Sequence, residues 1–292
     1  VSEALGELIE LLDLEAIEVN IFRGKNLDET RLRVFGGQVA AQSLVAAGRT
    51  VDKGRVHSLH SYFLRPGDPT VPILYEVDRI RDGRSFTTRR VVAIQHGRAI
   101  FNLQCSFHIE EGPGLVHQSE MPEVPAPETL ATLRERLEPY RDQLPDWFQI
   151  DTPRPIDQRY VGEIPWLPSA SEESRQQLWV RADGELGDDP LLHAAVVAYA
   201  SDMSIIDSVL KPHEIPWEPG ATTVVSLDHC MWFHRPLRAD KWLLFDQDSP
   251  NAYGARGLAR GLMFDEQGRL VVSLVQEGLV RVHEPGAAHR DS

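Results

Sequence analysis

The sequence has little cysteine. Cys105 and Cys230 are the only two among 292 residues, and both sit in strand-like apolar runs. Two reduced, buried thiols are therefore expected, not a disulfide framework or a metal site. Long hydrophobic runs are missing too. None approaches the ~20 residues that cross a bilayer as a helix, so no membrane partner is expected. Basic charge is scarce, with 30 Lys and Arg against 44 Asp and Glu and a formal charge of −14. Such a chain is repelled by phosphate backbones, which excludes nucleic acid as an expected partner. Any anionic ligand would have to find a local basic patch. There is no G-x-S-x-G elbow and no P-loop. The "GARGLARG" of residues 254–261 spaces its glycines wrongly for a dinucleotide fingerprint. His57 and His60 form H-x-x-H on a strand, where alternation puts the rings on opposite faces, so no metal is expected there. The acidic N-terminal stretch carries Leu5, Leu8, Ile9 and Leu12 on one helical face, unlike a secretory signal. Arg290-Asp291-Ser292 does not match the peroxisomal tail. A cytoplasmic enzyme is the expectation.

What is present is ordinary globular composition, 42% hydrophobic and 25% charged, and a repeat. "SLHSYFLRP" at 58–66 is a weak echo of "SLDHCMWFHRPL" at 226–237. Arg65-Pro66 falls on Arg235-Pro236, and Phe63 falls on Phe233. At an offset one larger, Gly83 falls on Gly254, Arg89 on Arg260, Gly97-Arg98 on Gly268-Arg269 and Leu103 on Leu274. The order of elements repeats as well. An apolar helix over 34–49 precedes strand-like runs at 55–64, 71–83 and 85–109, the last with a hairpin at His96-Gly97. A second apolar helix over 188–210, with Asp189 as N-cap and Pro190 at its first position, precedes runs at 222–234, 241–249 and 252–282. Ten of the twenty prolines fall between Pro113 and Pro168, where they break any ladder; residues 128–144 read as a short surface helix. The chain therefore divides into an N-terminal repeat (1–109), a proline-rich connector (110–148) and a C-terminal repeat (149–292). Helix followed by antiparallel strands, twice over, predicts an α+β fold with one long apolar helix against each sheet.

Three polar residues interrupt apolar patterns. Asp202 shares a helical stripe with Ala195, Ala198, Ile205, Ile206 and Val209, whereas Asp207 points elsewhere and is expected in solvent. Gln276 shares a strand face with Val272, Leu274, Gly278 and Val280. Ser226 follows Val224 and Val225. A buried carboxylate needs donors, and a hydroxyl and an amide supply them. The trio can hold a water and take its proton; equally, it can be a satisfied network without chemistry. Asp228, His229, Cys230 and His234 look crowded, but alternation divides them, and a satisfied histidine near a sheet edge is the plain reading. Arg65, Arg89, Arg90, Arg235, Arg256 and Arg260 can neutralise an anion or simply cap strand ends in solvent.

The segments "IFRG" (21–24), "RVFGGQVAAQSL" (33–44), "HSLHSYFLRPGD" (57–68), "DGRSFTTRRVVAIQ" (82–95), "YASDMS" (199–204), "LDHCMWFHRP" (227–236) and "VQEGLVR" (275–281) closely resemble the acyl-CoA thioesterase II family. The likeness runs nearly the whole chain in order and is weakest in the connector. It implies a double hotdog: two antiparallel sheets, each wrapped around a long apolar helix and joined into one extended sheet. It implies hydrolysis of fatty acyl-CoA to free acid and coenzyme A, without metal or cofactor. By motif, the water-orienting residues are Asp202, Ser226 and Gln276, with serine where threonine is also familiar. Gly36 and Gly37 are the candidate oxyanion donors, and His57, Arg65, Arg89 and Arg235 are candidates to meet the substrate. Val56 aligns with Ser226, and Cys105 or Gln104 with Gln276, so one active site per chain is expected, walled by the first repeat. The family forms oligomers, which makes a homodimer or homotetramer the expectation. Two rivals remain: a hotdog enoyl-CoA hydratase, for which Asp228 and His234 lack context, and a non-catalytic acyl-CoA-binding protein.

Overall fold

The computed structural model describes residues 1–26, 32–112, 114–144, 150–165, 167, 173–213 and 222–283. The tail Arg290-Asp291-Ser292 and the repeat boundary expected at 148/149 lie outside the described residues. The first part of the chain runs α1 (Glu3–Leu12), β1 (Glu15–Glu18), β2 (Ile21–Gly24), α2 (Gly36–Gly48), β3 (Arg55–Phe63), β4 (Ile73–Asp82), β5 (Phe86–Gln95) and β6 (Arg98–His108). A connecting segment carries α3 (Leu133–Leu137) between two short 3-10 turns. The second part runs β7 (Ile156–Tyr160), β8 (Gln176–Ala182), α4 (Pro190–Ser201), α5 (Asp207–Leu210), β9 (Thr222–Ser226), β10 (Asp228–Phe233), β11 (Leu243–Tyr253), β12 (Arg256–Asp265) and β13 (Leu270–Val282).

All the strands belong to one antiparallel sheet in the order β1-β2-β4-β5-β6-β3-β10-β13-β12-β11-β8-β7, with β9 paired to β13 off this path. The order is a mirror about the β3–β10 seam, where Ser58 faces Trp232 and Tyr62 faces Asp228. The duplication seen in the sequence thus becomes a two-fold arrangement of two helix-bearing sheets fused edge to edge. Fusion at β3 and β10 removes two free strand edges at once. The helices α2 and α4 touch each other across the seam, and both bury their apolar residues in one continuous core. Local chemistry explains the boundaries. Asp189 caps α4, accepting from the Leu191 amide at 2.9 Å, and Pro190 occupies the first turn, where its missing N–H costs nothing. His96 (φ 48°) and Gly97 (φ 69°) both take the left-handed region that the tightest β-hairpins require.

The structure corrects several expectations. The helix expected over 188–210 ends at Ser201; Asp202 is its C-cap, and α5 is a separate single turn. Asp202 therefore projects from a helix terminus and not from a continuous stripe. The surface helix expected over 128–144 is broken into pieces, with Pro139 in the first turn of a 3-10 segment directly behind α3. The 171-residue offset holds on β6 and β13 but not on β5 and β12. Arg89 faces Cys105 as Ala259 faces Gln276, so Arg89 corresponds to Ala259 and not to Arg260. The extra residue lies in the turn that Asp265 and Arg269 close, one longer than the His96-Gly97 turn. A bulge at His57 breaks the alternation between Val56 and Ser58. It turns His57 towards Phe86 and His108, and places it on the same outer face as His60, which stands edge-on to Trp232 at 5.2 Å. The strands β1, β2, β7 and β8 had no counterpart among the expected runs.

The connector is not a bare linker. Met121, Val124 and Leu130 pack against Trp179, Trp242, Leu244, Phe264 and Leu270 on the outer face of the second sheet. The indole N–H of Trp179 donates to the Pro125 carbonyl at 3.0 Å, and that of Trp242 to Glu128 at 3.0 Å. Each buried indole thus keeps a hydrogen-bond partner.

Candidate active site

Three elements of the second repeat and one helix terminus of the first converge at the seam. The C-terminus of α4 carries Asp202, the end of β9 carries Ser226, and the inward face of β13 carries Gln276. Asp202 Oδ1 accepts from Ser226 Oγ at 3.1 Å and from Gln276 Nε2 at 2.8 Å; Gln276 Nε2 also reaches Ser226 Oγ at 2.7 Å. Gln276 is wholly buried, while Asp202 and Ser226 are half-buried. The closed triangle therefore has one inner corner and two nearer solvent.

The first repeat supplies the opposite wall. A Cβ added to Gly36 would lie 2.7 Å from Asp202 Oδ2 and 2.8 Å from the Phe63 ring, so only glycine allows this approach. The N-cap of α2 is Phe35, which offers no side-chain cap. The Gly37 backbone N–H instead lies near the Asp202 carboxylate and helps to lower its pKa. The second repeat thus sets a carboxylate at the positive end of the first repeat's helix dipole. Phe35 and Tyr199 meet edge-to-face at 5.1 Å beside it, and Arg33 Nη2 reaches the Val224 carbonyl at 3.1 Å.

Burial raises the Asp202 carboxyl above its ordinary value; the field of His229 and the bonds from Gln276, Ser226 and Gly37 pull it back in part. A carboxylate tuned this way is a better proton acceptor than a solvated one. Behind Gln276 lies His229, itself wholly buried. Its Nδ1 bonds Gln276 Oε1 and its Nε2 lies 2.9 Å from Ser201 Oγ. Burial lowers its pKa. It sits in β10, between β3 and β13 in mid-sheet, not near a sheet edge as expected. The sequence did hold a signal for it: His229 shares the buried parity of Met231 and Phe233.

The Acyl-CoA thioesterase family model matches residues 152–279, and the Acyl-CoA thioesterase N-terminal domain model matches residues 26–108. Acyl-coenzyme A thioesterase 8 of Homo sapiens is 41% identical over 282 residues, covering 93% of this chain and 88% of its own length. The chain belongs to the acyl-CoA thioesterase family. The crystal structure of acyl-CoA thioesterase II TesB2 from Mycobacterium marinum superposes with a TM-score of 0.77 at 44% identity, covering 94% of this chain and 98% of that one. An Alicyclobacillus acidocaldarius protein with a hot dog fold gives a TM-score of 0.77 at 18% identity over 97% and 100% of the two chains, which bears on the fold alone. This thioesterase is accordingly a double hotdog and a thioester hydrolase.

The remaining candidate residues of the thioesterase divide sharply. Arg89 was expected to meet substrate; it is 1% exposed and spent inside the first repeat, on Thr50 Oγ1 at 2.8 Å, the Thr50 carbonyl at 2.9 Å and Asp82 at 2.5 Å. Gly37, expected to donate to an oxyanion, stands at the α2 terminus beside Asp202, and its amide helps to lower the Asp202 pKa. His57 is on the outer face with Phe86 and His108, outside the cluster. Arg65 donates to the Ala99 carbonyl at 2.6 Å, and Arg235 to the Leu270 carbonyl; neither touches the triangle. The Asp228–His234 pair of the hydratase alternative does not form. Asp228 accepts the Glu277 amide at 2.7 Å, and His234 bonds Ser273 Oγ at 2.8 Å. Asp207, expected in solvent, is half-buried, and burial pushes its carboxyl up to about 7. Among the described residues, no group of His, Cys, Asp or Glu is placed to hold a metal ion, and no helix is long and apolar enough to cross a membrane. Both cysteines are free thiols, Cys105 buried and Cys230 half-buried.

Proposed function

We propose that this thioesterase hydrolyses fatty acyl-CoA with a water molecule held between Asp202, Ser226 and Gln276. Asp202 takes the water proton as the oxygen attacks the thioester carbonyl carbon. The Ser226 hydroxyl and the Gln276 amide fix the water so that attack begins from a near-attack geometry. The tetrahedral oxyanion then re-forms a carbonyl and expels coenzyme A as a thiolate. Thiolate is a good leaving group and needs no strong acid; the proton on Asp202 returns to solvent or product. The Gly36 and Gly37 amides, at that helix terminus, are the backbone candidates to face the oxyanion. The observation that carries this reading is the closure of a carboxylate, a hydroxyl and an amide at 2.7–3.1 Å in a place walled by both repeats. Asp202→Asn and Gln276→Ala, assayed on palmitoyl-CoA with a thiol-reactive dye, should both lose free-thiol release. Near-wild-type release by both would remove the assignment. The reading extends to one site per chain, to division of the chain at about 109/110 and 148/149, to a cytoplasmic setting, and to a homodimer or homotetramer, which light scattering would distinguish from a monomer.

A further inference from the structure

The Gln276 amide has two ends, and the chemistry requires that they be told apart. Its nitrogen faces Asp202 and Ser226; its oxygen faces His229 Nδ1. Rotated by half a turn, the amide would set its oxygen against an ionised carboxylate and lose the donor that holds Asp202. Within the triangle only the carboxylate resists that rotation, since Ser226 Oγ both donates and accepts.

We infer that His229 is a positioning residue: as the Nδ1–H tautomer it fixes the Gln276 amide with its nitrogen towards Asp202. This rests on the proposed roles of Asp202 and Gln276 and goes one layer behind them. A buried imidazole is neutral, so only one ring nitrogen carries hydrogen. With Nδ1–H facing Gln276 Oε1, Nε2 is a lone pair and needs a donor. Ser201 Oγ lies 2.9 Å away and supplies its single hydrogen there. That forgoes the alternative bond to the Ala198 carbonyl at 3.0 Å. The opposite tautomer would donate from Nε2 to Ser201, leave Nδ1 as an acceptor and invite the amide nitrogen to turn towards it. Ser201 thus accommodates this tautomer, the histidine holds the amide, and the amide holds the carboxylate and the hydroxyl. The ring is anchored by its own backbone as well: the His229 carbonyl accepts from Ser61 Oγ of the first repeat at 2.8 Å. At the matching place in the first repeat stands Leu59, opposite Cys105, where there is neither a ring to orient nor an amide to be oriented.

The test is a double-mutant cycle on the full chain, with Asp202→Asn as reference. His229→Leu should lower kcat roughly 10- to 100-fold with KM within about twofold, because a misplaced reacting group costs rate and not substrate binding. His229→Asn, whose side-chain nitrogen stands close to the Nδ1 position, should restore most of the loss. In a Gln276→Ala background, His229→Leu should cost nothing further. Nitrogen-15 spectra of histidine-labelled enzyme, assigned by difference with His229→Asn, should show a protonated Nδ1. An equal loss from His229→Leu with and without Gln276, or a protonated Nε2 with bare Nδ1, would overturn the inference. So would wild-type kcat in His229→Leu while Asp202→Asn is inactive, and that result leaves the water-holding trio intact. Activity retained in Asp202→Asn would sink the trio itself.

Discussion

The two repeats share a register and differ at almost every chemically active place in it. Where β9 ends in Ser226 opposite Gly278, β3 has Val56 opposite Phe107. Where β13 carries Gln276 opposite Ala259, β6 carries Cys105 opposite Arg89. The loops after the two helices differ too. The first repeat returns from α2 to β3 through 49–54, whereas the second goes from α4 to β9 through 202–221 and places Asp202 at the start of that excursion. In the first repeat an arginine fills the corresponding space, bonded to Thr50 and Asp82, with a thiol that burial pushes well up beside it. One repeat fills this space with a hydrogen-bonded arginine; the other leaves a carboxylate and a hydroxyl nearer solvent. The same fold supplies both a wall and a site.

The largest effect should come from the second repeat alone. Asp202→Asn keeps an oxygen that accepts from Ser226 and Gln276 but cannot take a proton, and kcat should fall about 100- to 10,000-fold. Cys105→Ala, at the place of Gln276 in the first repeat, should leave kcat within about twofold. Comparable losses in the two variants would mean that both repeats are catalytic. The wild-type pH profile sharpens the point. Burial raises the Asp202 carboxyl, so its base form is lost as pH falls through a value above 3.8, and the acid limb of kcat should lie higher than for a solvated aspartate.

Next in size is the junction. Gly36→Ala would drive a methyl against Asp202 Oδ2 and the Phe63 ring, so either the carboxylate or the α2 terminus must shift. A kcat loss of roughly 10- to 100-fold is expected, with the fold retained. Unchanged kcat would show that the wall contributed by the first repeat does not touch the reacting geometry.

Much of this was legible in the sequence, for physical reasons. Period-two alternation exposed Gln276 among Val272, Leu274 and Val280, and the same apolar rows made the duplication visible. Asp189 and Pro190 marked the start of α4 because capping is a local bond. What escaped was non-local. Nothing in "YASDMS" says that α4 stops at Ser201 or that Asp202 will stand against the helix terminus of the other repeat. The single-residue bulge at His57 inverts a face without changing composition. The four strands β1, β2, β7 and β8 are short and flank the sheet, and β1 is exposed along its whole length, so it carries no alternation to read. Arg89 looked like a surface charge because its partners, Thr50 and Asp82, come from other elements.

A smaller effect, on stability alone, separates the repeats from the opposite side. Arg89→Ala installs the second repeat's residue, Ala259, in the first. It strips hydrogen bonds from Thr50 and leaves the exposed Asp82 to water, which takes up part of the loss. A destabilisation of about 2 kcal/mol is expected in urea, with kcat within about twofold. A kcat loss with unchanged stability would return Arg89 to the substrate.

The smallest effect lies in the excursion that has no counterpart in the first repeat. Asp207 opens α5, half-buried, and burial pushes its carboxyl from 3.8 up to about 7. A raised folded pKa means that the native chain holds this proton more tightly than the unfolded chain. Its stabilising contribution is complete below about pH 4 and is lost as pH rises through about 7. At pH 8 the ionised carboxylate is therefore a cost that Asp207→Asn removes. The full linkage value would be about 4 kcal/mol. The side chain is only partly shielded, however, and water screens it, so a gain of roughly 1 kcal/mol is expected. The variant should melt about 2–4 °C above wild type at pH 8 and level with it at pH 4. Equal melting at both pH values would place Asp207 in solvent. That would confine the perturbed carboxylate chemistry of the excursion to Asp202, the residue at its first position and the one turned towards the other repeat.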